Sequence, residues 1–170
     1  MEPQRDVERN PGSLPDSAVT DPDDARPAVV IGLDGSETSW HAFSWGCGEA
    51  WRLGGRVVAV FVSPGPGRGA GAGLMLGIDT YDHGAVEAAA CQQAQRLQVE
   101  ALARAVSAGI ELTFLHARGD PASELVRVAT EINADVTAVG RSTKLCHRLA
   151  GALGRRLLAK PGAPIIVVVP

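Results

Sequence analysis

From Gly140 to the end, this 170-residue sequence contains no aspartate and no glutamate, while Arg141, Lys144, Arg148, Arg155, Arg156 and Lys160 all carry positive charge. That part of the chain is suited to meet an anion, and phosphate is the plainest one. Cysteine is scarce. Cys47, Cys91 and Cys146 are odd in number and show neither CxxC nor His/Cys metal spacing, which excludes a disulfide framework and a zinc site and suits a reducing, cytoplasmic setting. No apolar run approaches the roughly 20 residues that span a bilayer, and no charged start with an apolar signal core opens the chain. A soluble, non-exported protein is expected. The glycine-rich GPGRGAGAG stretch lacks the Gly-Lys-Ser/Thr ending of a phosphate-binding Walker loop and opens no helix directly. Neither a paired acid/base constellation nor a nucleophile elbow is present, so catalysis is not signalled beyond, at most, slow nucleotide hydrolysis.

The length fits one domain with one substantial core. A net charge of -3 conceals an asymmetry, since Met1 to Arg26 holds seven acids against three arginines; taking that tail's -4 from -3 leaves +1 for the rest. A near-neutral body with late positive charge points to a localised phosphate site and away from a nucleic-acid or membrane binder. Residues 1–26, rich in Pro, Asp, Ser and Arg and without apolar periodicity, read as a disordered acidic tail, and 27–170 as the folded domain.

PAVVIGL (Pro27 to Leu33) is a short apolar run of the kind buried on both faces of a parallel sheet. Asp34-Gly35-Ser36 follows it, and Ser36 or Thr38 is placed to cap a helix from about Ser39 to Leu53 that stops at Gly54-Gly55. Trp40, Phe43, Trp45 and Trp51 on that helix read as packing or subunit-contact residues. RVVAVFV (Arg56 to Val62) is the second strand. Ser63 to Gly84 is a long irregular loop, a candidate flap, in which Asp79, Asp82 and His83 match no metal spacing.

A helix is expected over Ala85 to Ser107, with Val86, Ala90, Leu97, Ala101 and Leu102 near one face. A strand follows over Ile110 to Ala117, then a helix over Ala122 to Asn133 led in by Gly119-Asp120-Pro121. Strands at Asp135 to Val139 and Pro164 to Val169 flank a helix from about Leu149 to Lys160. The order β-α-β-α-β-α-β-α-β gives an open five-stranded parallel α/β sheet with helices on both faces. Ligands of such sheets sit at the carboxyl ends of the strands, where strand order reverses. If the strands ending at Asp34 and Gly140 are neighbours there, one crevice receives both that carboxylate and the basic loop. His41, His83 and His116 have no recognisable partners in sequence, so surface or structural roles are expected of them.

Three stretches, VVIGLDGSETSWHAFSWG, GDPASELVRVATEINADVTAVGRS and the closing GAPIIVVVP, together resemble the universal stress protein family over Pro27 to Pro170. The resemblance implies a Rossmann-like, adenine nucleotide alpha hydrolase-like fold, pairing of subunits through the final strand, and binding of ATP or another adenine nucleotide, with or without magnesium. By the family pattern G-x2-G-x9-G-[ST], Asp34 is similar to the aspartate that contacts the nucleoside, Val62 to the residue beside the base, and Gly140 to the first glycine. Thr143 stands where the second glycine belongs, and Gly151-Ala152 where Gly-Ser belongs, with the loop two residues short. Ala152 lacks the hydroxyl that would bond a phosphate, while Ser142 and Thr143 offer hydroxyls and Arg141, Lys144, His147 and Arg148 offer charge.

Two functional expectations follow from the resemblance and from these departures. One is a nucleotide-dependent dimeric switch in the stress response, acting on an unknown protein partner; the alternative is a dimeric interaction module that no longer binds nucleotide. An apolar closing strand at a sheet edge calls for a cover, and a second subunit supplies one. Cys146, beside His147, is a candidate oxidant sensor, though no resolving thiol is in sight.

Overall fold

The computed structural model describes residues 26–65, 83–141, 157 and 165–170, and the structural statements below concern these. Five strands alternate with helices: β1 (Ala28–Gly32), α1 (Glu37–Leu53), β2 (Arg56–Ser63), α2 (His83–Ala108), β3 (Leu112–Arg118), α3 (Pro121–Glu131), β4 (Val136–Gly140) and β5 (Ile165–Val169). All pairings are parallel and the sheet order is β3-β2-β1-β4-β5. Strand order therefore reverses between β1 and β4.

Both faces of the sheet are covered, which is why its central strands read as unbroken apolar runs. On one face Val29, Ile31, Val57, Ala59 and Phe61 meet Ala42, Phe43, Cys47 and Ala50 of α1 and Ala94, Leu97, Ala101 and Ala105 of α2. On the other, Val30, Val58, Val60 and Val139 meet Leu125, Val128 and Ala129 of α3 together with Leu157. Leu157 is helical and fully buried, and it falls in the helix expected over Leu149 to Lys160, whose other residues lie outside those described.

Local signals set the helix ends. Ser36 caps α1, its side chain accepting from the Ser39 N–H at 3.2 Å, so of the two candidates the cap is Ser36 and the helix opens two residues earlier than expected. Gly54 closes that helix. Asp120 caps α3, accepting from the Ser123 N–H at 3.1 Å, with Pro121 in the first turn where its missing N–H costs nothing.

Two readings of side-chain placement need correction. The buried stripe of α2 is Ala94, Leu97, Ala101 and Ala105, whereas Val86 and Leu102, expected to share it, are exposed, as are Val99 and Val106. A face built mostly from alanine leaves the larger apolar residues free to mislead a periodicity argument. Phe43 is buried and Trp40 and Trp45 pack against the same core, but Trp51 is 71% exposed, so of its two expected roles packing on the core fails and only the subunit contact is left. Cys47 lies inside this core, and burial pushes its thiol up to about 11, which makes it an inert packing residue.

Candidate functional site at the carboxyl edge of the sheet

The β1–β2 register pairs Ala28 with Arg56 and Gly32 with Val60, an offset of 28; continued two residues, it sets Asp34 opposite Val62. The β1–β4 register pairs Gly32 with Val139, an offset of 107, which sets Asp34 opposite Arg141. Asp34, Val62 and Arg141 thus fall on one line across three adjacent strand ends, at the point where strand order reverses. Alternation along each strand puts these positions on the same face as Val30, Val60 and Val139, the face covered by α3.

The backbone at this line is available to a ligand. Leu33 N–H donates to the Val60 carbonyl at 2.9 Å, so the peptide groups of Val60 face β1. Those of Val62, two residues on, face the same way but lie past the end of β1. A donor and an acceptor therefore look into the space above Leu33. On the other side of the line, Arg141 N–H donates to the Val169 carbonyl at 2.8 Å, extending the β4–β5 ladder by one rung.

Asp34 is exposed and its Oδ1 accepts from the Ser36 N–H at 2.9 Å, while its own N–H reaches Ser39 Oγ at 3.4 Å. One carboxylate oxygen of Asp34 thus braces the turn, and the chain reverses at Gly35, whose φ of +83° is rarely adopted by residues with a side chain. Gly140 has a different task. A Cβ placed there would lie 2.4 Å from the Thr38 carbonyl carbon and 2.6 Å from the Ser39 nitrogen. Its missing side chain lets the end of β4 pack directly on the first turn of α1.

Among the sequence-derived site residues, the structure brings together Asp34, Val62, Gly140 and Arg141. Ser142, Thr143, Lys144, His147, Arg148, Gly151 and Ala152 lie outside the described residues, as do Cys146, Asp79, Asp82 and residues 1–25. Among the described residues, no three His, Cys, Asp or Glu side chains gather in a way that would hold a metal ion.

Two contacts were not legible in sequence. His116 has a partner after all: its Nε2 lies 2.9 Å from Ser63 Oγ, and its ring lies 5.2 Å from that of Phe61. His41 Nδ1 lies 3.3 Å from the Pro170 carbonyl. Each pair joins residues far apart in the chain, and only the β2–β3 register, which sets Phe61 beside His116, contained a hint. At the same strand ends Arg118 pairs with Glu87 of α2, and the guanidinium holds that carboxyl below its usual range.

Burial, and then the positive charge of Arg118, push the His116 pKa below its ordinary value of 6.5. The unfolded chain consequently takes up this proton first as pH falls. Stability should decline as pH drops below about 6.5 and level off below the depressed folded value. Urea midpoints measured between about pH 7.5 and 5.5 should fall more in the wild type than in His116→Gln, which does not titrate there. Equal slopes would show that His116 is not the responsible group.

Residues 26–168 match the universal stress protein family, described by that name. No curated protein matches the chain at a significant level. Among solved structures, a universal stress protein family member from Burkholderia pseudomallei is 22% identical with a TM-score of 0.67, the match covering 85% of this chain and 96% of the other. A universal stress protein in complex with cAMP is 21% identical with a TM-score of 0.58, covering 85% and 96%. One from Archaeoglobus fulgidus in complex with dAMP is also 21% identical with a TM-score of 0.58, covering 85% and 97%. At such identities these likenesses establish the fold.

Proposed function

Because this chain belongs to the universal stress protein family, we propose that its carboxyl-edge crevice binds an adenine nucleotide, ATP or a smaller one, and that the protein acts as a nucleotide-dependent dimeric switch in the cytoplasmic stress response. The observation that carries the reading is the register line. It sets a carboxylate able to accept ribose hydroxyls at Asp34 between a strand-end peptide donor–acceptor pair at Val62, suited to the edge of a base, and a cation at Arg141. The two related proteins in complex with cAMP and dAMP support the choice of adenine. Magnesium, if used, would accompany the phosphates of ATP.

Assembly follows from the other end of the sheet order. β5 is an edge strand, and Ile165 and Val168 on it are 68% and 46% exposed. Pairing of β5 with its copy in a second subunit would cover that edge and place two crevices in one two-fold particle. Sedimentation at micromolar concentration should return a dimer.

Calorimetric titration with ATP, cAMP and AMP tests the binding reading. Saturable binding by the wild type is expected, weakened roughly ten- to a hundred-fold in Asp34→Ala, the worth of a lost charge-assisted hydrogen bond of about 1.5–3 kcal/mol. A folded wild type that binds none of them would overturn it.

A further inference from the structure

The arginines of the described residues are mostly spoken for. Arg26 pairs with Glu111, Arg52 with Glu49, Arg104 with Glu100, Arg118 with Glu87, and Arg127 with both Glu124 and Glu131. Arg141 and the exposed Arg96 of α2 have no such pair among the described residues, and of the two only Arg141 stands at the strand ends of the proposed crevice. It is exposed, its backbone N–H is fixed on Val169, and its guanidinium makes no ion pair or hydrogen bond among the described residues. The sequence from Gly140 onward contains no aspartate or glutamate.

Its position adds a second constraint. Continued two residues past its last pair, Gly32 with Val139, the β1–β4 register sets Arg141 opposite Asp34, and neighbouring strands lie about 4.8 Å apart. A carboxylate that accepts ribose hydroxyls also repels any phosphate attached to that ribose, and the repulsion is strongest for the phosphate nearest the sugar. A guanidinium one strand away offsets it, and its planar fork of donors matches two phosphate oxygens at once. The stem of arginine is long enough to reach a group seated above the neighbouring strand end. A phosphate further out along a polyphosphate chain leaves this reach.

We propose that Arg141 is the phosphate-reading residue of the crevice, and that through it the site recognises the first phosphate of a nucleotide, so that a nucleoside monophosphate, linear or cyclic, is a sufficient ligand. The inference rests on the adenine-nucleotide reading given above and narrows it: the step in affinity comes between adenosine and AMP, and the second and third phosphates add less.

The test is a calorimetric comparison of adenosine, AMP, cAMP and ATP, without magnesium, on the wild type, Arg141→Ala and Arg141→Lys, each checked for native thermal unfolding. In the wild type, AMP and cAMP should bind at least about tenfold tighter than adenosine, as expected for one charge-assisted contact. In Arg141→Ala the ratio of AMP to adenosine affinity should fall to near one. Arg141→Lys, which keeps the charge but loses the fork, should restore part of it, and added salt should shrink the wild-type ratio. A ratio that persists in Arg141→Ala would show that the phosphate is read elsewhere and would overturn the inference while leaving nucleotide binding intact. A step that appears only between AMP and ATP would also overturn it. Absence of binding by adenosine and all three nucleotides in the folded wild type would instead remove the adenine-nucleotide reading itself, and the inference with it.

Discussion

Gly140→Ala should destabilise the fold by about 2–3 kcal/mol, the upper part of the usual range for overpacking. One methyl group is enough. The added carbon would stand 2.4 Å from the Thr38 carbonyl carbon, 2.5 Å from its oxygen and 2.6 Å from the Ser39 nitrogen, all backbone atoms of the first turn of α1. No rotamer change relieves such a contact, so β4 and α1 must separate. Arg141 follows β4 directly and Asp34 stands just before α1, so both positions would be displaced with them. Urea unfolding of the variant checks this directly, and a wild-type midpoint would contradict it. The result bears on the proposed function because the family resemblance implies that Gly140 stands at the first glycine position of the nucleotide-binding pattern. Weakened ligand binding in a Gly140 variant would report lost packing before it reported a lost phosphate contact.

Phe43→Ala should cost about 3–5 kcal/mol, the range for removing a buried aromatic from a core that cannot collapse around it. Phe43 is 1% exposed and sits among Val29, Ile31 and Phe61 on the α1–α2 face. Its ring meets Trp40 edge-on at 5.5 Å between centroids, and Arg104 of α2 lies over the Trp40 ring at 4.0 Å. The substitution therefore removes the floor beneath a contact that joins α1 to α2. Thermal unfolding should shift sharply downward, and the tryptophan fluorescence of the native state should change as Trp40 loses its neighbour. An unchanged transition would show that this face is held mainly by the alanine contacts of α2.

The strands were the most legible part of the sequence, because PAVVIGL, RVVAVFV and the closing IIVVV are apolar on both faces and bounded by Gly or Pro. Their ends agree with the structure to within about two residues, as is usual for element boundaries. The adjacency of β1 and β4 was legible only as a condition, since sheet order is a tertiary property, and the structure meets that condition. Asp34 could be singled out because a carboxylate directly after a buried strand stands at the ligand-binding edge of such a sheet.

What escaped the sequence depended on contacts across the chain. Gly140 reads there as a turn before an anion-friendly loop; its approach to Thr38 arises because α1 and β4 meet, and no local pattern announces it. His116 and Ser63 are 53 residues apart, and a histidine's partner cannot be inferred without the strand register. On α2, Leu102 and Val106 look like core residues by type, yet the core takes Ala101 and Ala105 beside them because the helix approaches the sheet closely enough for small side chains.

The central claim, that one crevice is formed by the ends of β1, β2 and β4, is most directly tested by following backbone amide resonances during titration with AMP. The account predicts that the largest shifts cluster at Leu33, Asp34, Gly35, Val62, Gly140 and Arg141, three separate stretches that only the sheet order brings together. Saturable shifts confined to the outer face of α2 or to β5, with those six amides unmoved, would contradict it.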